Sequence, residues 1–374
     1  MQFPRLLTIG LAALLLAACA TEPAPAKPHG YVEGATEAAE PQLHLAAVSS
    51  TGELTLLDLL DETTVVVGDL GATSAVTTNG RYVFATTPTG VTIADTGVWT
   101  IDHEDHFHYY RAQPRILGTV QGDGPATVSS DTLGTAIFFA GSGETVLLDS
   151  AALGSGELTE LARIVGEPHN GLAVVQGKTV LISSPGSVRA HDLTGTPIAR
   201  AENCPDLRGS ITTRVGVVIG CSTGALLYTD GFETIEYPDA PAAADRAVEF
   251  RNRAGRPTAA AIAADTGYWL LDSREREWKR FATEPLAQVA AVDDREGHIV
   301  ALSAEGRVLV FDADGAELAR TAVLSTGGEL TVDAGRAYLN DPAGRVVYEI
   351  DYADGARIAR EFALDAAFLV ETGR

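Results

Sequence analysis

Three of the chain's eight histidines fall in one short run, Asp102-His103-Glu104-Asp105-His106-Phe107-His108, together with three carboxylates, and Tyr109 and Tyr110 follow directly. Imidazole nitrogens and carboxylate oxygens at this density suit a divalent ion such as zinc, nickel or copper(II), whereas calcium would want oxygens alone. The other reading of such a run is a solvated loop, but the remaining histidines, His29, His44, His169, His191 and His298, are scattered singly. The three histidines, His103, His106 and His108, with the carboxylates among them, are therefore the candidate ligands. On an extended strand His106 and His108 would point one way and His103 the other, so all three can share an ion only if the segment bends.

Soft metals are poorly served. Met1 is the only methionine, and the cysteines are Cys19, Cys204 and Cys221. Met1 to Ala18 holds one basic residue, Arg5, then an apolar run from Leu6 to Leu16, a length that suits a secretory signal and not a membrane span. Leu16-Ala17-Ala18-Cys19 resembles the lipobox of bacterial lipoproteins, which implies cleavage before Cys19 and lipidation of its thiol. An ordinary signal peptide with Cys19 incidental is the alternative. Residues 1–18 are thus expected to be the signal, 19–42 the lipidated cysteine and a flexible tether rich in Ala, Pro and Glu, and 43–374 the folded domain. The expected location is the bacterial cell envelope, outside the cytoplasm, held to the membrane by the lipid alone.

Removing Cys19 leaves an even pair in an oxidising compartment, so Cys204 and Cys221 are read as a disulfide. A loop of that length would stabilise the fold by roughly 3 kcal/mol. A thiolate metal site is the alternative, but their spacing matches no common zinc signature. With no thioether and no free thiol in the mature chain, copper(I) has no suitable ligand and zinc leads. A net charge of −23 makes nucleic acid and anionic lipid poor partners.

The elements that must carry these residues are strands. From Leu43 onward short alternating apolar runs are separated by Gly, Asp, Asn and Pro, with almost no helical period, which makes the chain all-β. The runs recur in units of propeller-blade length. One comprises Ser74–Thr78, Tyr82–Ala85, Val91–Asp95 and Ile116–Val120, and seven units begin near Ala72, Ala126, Gly171, Gly209, Ala259, Gln288 and Glu329. Leu43 to Leu70 supplies only three strands, while Ala367–Val370 is left over at the other end. Joining them closes the first blade and hides two sheet edges. The expectation is a β-propeller of eight blades, with seven as the alternative. The chain has no Gly-x-Ser-x-Gly elbow and no Gly-rich phosphate loop opening a helix.

The segment Val98-Trp99-Thr100-Ile101-Asp102-His103-Glu104-Asp105-His106-Phe107-His108-Tyr109-Tyr110-Arg111, followed by Pro114–Gly118, resembles the central motif of the AztD zinc metallochaperones. Cys204-Pro205-Asp206-Leu207 with Cys221, and the stretch from Asn340-Asp341-Pro342 to Phe368-Leu369, add to the resemblance, which spans most of the chain from Leu43 on. It implies an extracytoplasmic β-propeller, not an enzyme, that binds zinc and hands it to the solute-binding protein of an ABC zinc importer. His103, His106 and His108 match the family's histidines and Asp105 its aspartate. His169, in Pro168-His169-Asn170-Gly171, stands where the family carries a histidine at the mouth of a blade. Arg208 departs from the family pattern, which commonly has a histidine after Cys-Pro-x-Leu, and an arginine cannot ligate. The lipobox differs from freely soluble members.

Several alternatives stay open. His169 could equally be a hydrogen-bonded structural residue, and His44, His191 and His298 read as packing residues. The histidine run lies between a third and a fourth strand whereas His169 opens an innermost one, places that face opposite ends of a simple propeller. Either the excursion folds over the rim or there are two sites. The other functional classes are a zinc-dependent hydrolase or lyase with Glu104 or Asp105 as general base, and a protein-interaction propeller with a structural metal.

Overall fold

The computed structural model describes residues 30–103 and 105–374. The expected signal, the lipidated Cys19, His29 and Glu104 lie outside the described residues. The chain is all-β: among the described residues there is one six-residue helix, Ser150–Ser155, and none long and apolar enough to cross a membrane.

Among the described residues, eight four-stranded antiparallel sheets of the kind that form propeller blades follow one another along the chain. Their packing comes directly from the period-2 alternation of their strands. In His44–Val48, Leu45 and Ala47 pack on Tyr338, Val347 and Phe362 of the last sheet, while Ala46 and Val48 pack on Val83, Ala85 and Ala94 of the next. Both faces are covered, so these strands are apolar throughout, and each fully buried Leu or Val contributes roughly 1.5–3 kcal/mol. The same two-faced packing recurs from sheet to sheet, Phe84 with Ile137, Phe138 with Val175, Val174 with Val217, Val218 with Trp269. The C-terminal strand Phe368–Thr372 pairs with His44–Val48 from Val48↔Phe368 to His44↔Thr372, completing the first sheet as the spare strand requires.

Two expectations are corrected. The unit expected to start at Ala259 starts one strand earlier, at Val248–Arg251. That strand is short, its register shifts between Val248 and Arg251, and Glu249 has φ 54°, so no alternation marks it in the sequence. The stretch 19–42, expected to be a tether throughout, contains a strand: Thr36–Ala38 is paired antiparallel with Phe107–Arg111.

The disulfide Cys204–Cys221 is present, with Cα atoms 5.0 Å apart. Cys204 follows the outer strand Glu202–Asn203 of one sheet and Cys221 ends Val217–Cys221 of the next, so the bond staples two adjacent sheets within one apolar cluster.

Candidate metal centre

The histidine run is the tip of a hairpin inserted between the third and fourth strands of the second sheet. Strands Val98–Asp102 and Phe107–Arg111 pair from Val98↔Arg111 to Asp102↔Phe107, and with Thr36–Ala38 they form a separate three-stranded sheet. The hairpin is fastened at several points. Thr100 Oγ1 donates to the Gly373 carbonyl at 2.7 Å, and Arg111 is paired with the buried Asp58. The Arg81 guanidinium lies 3.8 Å from the Trp99 ring centre while donating twice to Asp95.

The bend that an extended strand lacked is supplied by the hairpin turn. His103 N–H donates to the His106 carbonyl and Asp105 N–H to the His103 carbonyl, both at 2.9 Å. The turn brings His103 onto the side of the other two, with ring centres 5.3 Å from His106 and 5.0 Å from His108, while those two are 4.8 Å apart. His108 is buried and His106 about half-exposed. Behind His108 stacks Tyr110, ring centres 6.1 Å apart, and behind Tyr110 stacks Trp99 at 5.1 Å, so the imidazole is held by a column that ends on Arg81.

Hydrogen bonding sets the polarity of two of these rings. His106 Nδ1 lies 2.7 Å from Asp105 Oδ1, and His108 Nδ1 lies 2.5 Å from Glu37 Oε1. A carboxylate only accepts, so each Nδ1 carries the proton, and a neutral imidazole then has its lone pair on Nε2. The two Nε2 atoms face each other 2.9 Å apart. Two lone pairs at that distance repel unless a positive charge lies between them, either a proton shared by the two rings or a metal ion. The arrangement fits a divalent ion, with Asp105 acting on His106 through Nδ1. The hydrogen bond from His106 comes first among the causes that hold the Asp105 carboxyl below the usual range.

His169 is not brought to this cluster. Its Nδ1 is 2.7 Å from the Glu167 carbonyl, its Nε2 2.8 Å from Ser183 Oγ, and its ring meets Phe138 edge-on at 4.8 Å, none of them in the hairpin. With both nitrogens engaged locally it has the environment of a structural histidine. Arg208 donates to Asp206 from Nε and Nη2 at 2.8 and 2.6 Å, and Arg246 reaches the same carboxylate. Asp294, Glu296 and His298 also lie close enough to hold an ion. There, however, Asp294 takes both the backbone N–H of His298, at 2.9 Å, and its Nδ1–H, at 2.6 Å, which accounts for the contact as a turn.

Sequence reasoning missed Glu37 and Gly30. Glu37 is 71 residues from His108 and sits in a stretch whose composition looks like a tether, so no local pattern pointed to it. Gly30 has φ +81° and lies so close to His108 that a Cβ there would meet the imidazole at 2.7 Å. Its carbonyl accepts from the Tyr110 hydroxyl at 2.8 Å.

The fold as a whole is shared with solved structures. The fold is AztD-like. Apo AztD from Citrobacter koseri superposes with a TM-score of 0.77 at 16% identity, over 89% of this chain and 98% of that one. A second structure of Citrobacter koseri AztD gives 0.75 at 18% identity, over 88% and 97%. The dihydro-heme d1 dehydrogenase NirN, in complex with DHE, gives 0.61 at 13% identity, over 93% and 77%. At these identities the likeness is one of fold. No family model and no curated protein matches the chain.

Proposed function

We propose that this protein is an extracytoplasmic zinc carrier on an eight-bladed β-propeller, not an enzyme. It holds the ion at the hairpin through His103, His106 and His108 and passes it to the solute-binding protein of an ABC zinc importer. The observation that carries the reading is the pair of Nε2 atoms facing each other at 2.9 Å while both Nδ1 atoms face carboxylates. The AztD-like fold and the resemblance of residues 98–118 to the metallochaperone motif support the same conclusion. Zinc is favoured over copper(I) because the paired cysteines and the lack of any methionine beyond Met1 leave no soft ligand.

Transfer, as opposed to retention, is consistent with the position of the site. It sits at the tip of a surface hairpin, with His106 half-exposed beside the exposed Phe107, so an acceptor's ligand can approach before the donor's have all left. A signal over residues 1–18, a lipid on Cys19 and a tether ending before Thr36 complete the proposal and would hold the carrier at the membrane surface. The test is a competition titration of the purified domain with zinc and a chromophoric chelator, followed by addition of the importer's solute-binding protein. Zinc should bind the domain and then appear on the acceptor at a rate that rises with acceptor concentration. Release at a rate independent of the acceptor argues against direct transfer, and loss of the folded state on stripping zinc would make the ion structural.

A further inference from the structure

The geometry points to Glu37 as the positioning residue of the zinc site, acting through His108. This rests on the carrier reading above and adds to it a residue from a separate stretch of chain.

Glu37 is the middle residue of the strand Thr36–Ala38 and pairs with Tyr110 in register. Side chains alternate across a sheet, so Glu37, Tyr110 and His108 share one face, and the diagonal neighbour lies within reach of a long side chain. Glu37 makes that diagonal contact: its Oε1 accepts from His108 Nδ1 at 2.5 Å. The contact does two things. It fixes the proton on Nδ1, so the Nε2 lone pair faces His106 Nε2, and it sets the ring orientation from the side opposite the ion. A carboxylate bonded to the outer nitrogen of a ligating histidine also raises the basicity of the inner one.

Asp105 does the same for His106 at 2.7 Å, but as its direct neighbour in sequence. Glu37 instead reaches His108 across a sheet, carried by a strand of only three residues. The chain before it reinforces the contact: Gly30 abuts the His108 ring and its carbonyl accepts from Tyr110. The segment 30–38 therefore belongs to the metal site. Its distance from the histidine run in sequence makes it a separable part of that site.

Two measurements on Glu37→Ala and Glu37→Gln test this, beside the parent. The first is the tautomer of His108 in the metal-free protein, read from long-range 15N–1H correlations of the imidazole. The second is zinc affinity by chelator competition. Glu37→Ala should lose the Nδ1–H preference and bind zinc about 10–100-fold more weakly. Glu37→Gln, whose amide oxygen still accepts, should keep the tautomer and recover part of the affinity. Circular dichroism confirms that each variant is folded. An unchanged tautomer and affinity in Glu37→Ala overturns the assignment, as does equal weakening in both variants with the tautomer unaltered, which would mean a purely structural strand. A parent that binds no zinc overturns the carrier reading as well, so the two failures are distinct.

Discussion

Replacing His106 and His108 together by alanine should weaken zinc binding by at least tenfold while leaving the propeller folded. The lower bound follows from comparison: losing groups that only orient a ligand costs about 10–100-fold in metal affinity, and these two residues offer the converging nitrogens themselves. Tenfold is about 1.4 kcal/mol. The two losses will not add, because both nitrogens address one ion and the second removal acts on a site already broken. On stability the two residues differ. His106 is half-exposed, so its loss should stay within about 0.5 kcal/mol. His108 is buried against Tyr110, and removing its ring should cost about 1–3 kcal/mol. Glu37, half-exposed, can turn to water. Neither residue belongs to the eight four-stranded sheets, so the melting transition should stay cooperative. Competition with a chromophoric chelator reads the affinity, and circular dichroism the fold. An affinity equal to the parent's in a folded double variant would refute the argument and put the ion elsewhere.

Burial of His44 and His191 disfavours their charged forms and lowers both pKa values from the ordinary 6.5. Asp58 stands 3.6 Å from His44 Nε2, but Arg111 engages that carboxylate. The unfolded chain therefore takes up protons at a pH where the folded one still excludes them. Their contribution to stability is complete above 6.5 and declines as pH falls through that value towards the lower folded ones. The melting temperature of the metal-free protein should drop on acidification below pH 6.5, and His44→Gln with His191→Gln should flatten the slope; a slope unaltered by the substitutions refutes it. Arg208→His should leave zinc stoichiometry unchanged and cost at most about 1 kcal/mol, since it breaks only a half-exposed pair with Asp206. Calorimetric titration showing an additional zinc equivalent would mean that the arginine had displaced a ligand.

The sheets were legible in the sequence because their chemistry is local. Strands such as Tyr82–Thr87 and Ile299–Ser303 are buried on both faces and bounded by turn residues, so each announces itself. The short strand Val248–Arg251 escaped because a register shift and a positive φ break its alternation. At the candidate site, the identity of the hairpin histidines was readable from their crowding, as was the pairing of Cys204 with Cys221 from their number. Thr36–Ala38 was not, because an Ala- and Glu-rich stretch carries no apolar face and forms a strand only where a partner edge receives it.

What the sequence by itself determined is the donor chemistry and the repeating β-architecture. Residue types set which ions can be bound, and period-2 alternation sets which faces must be buried. Only the tertiary structure decided which donors meet. It bent the hairpin so that His103 joins His106 and His108, and it left His169 engaged with Glu167 and Ser183 in another sheet. It also brought Glu37 to His108 across 71 residues. The reason is range. Alternation and turn chemistry act over a few residues, whereas a ligand's orientation depends on whatever the folded chain places behind it.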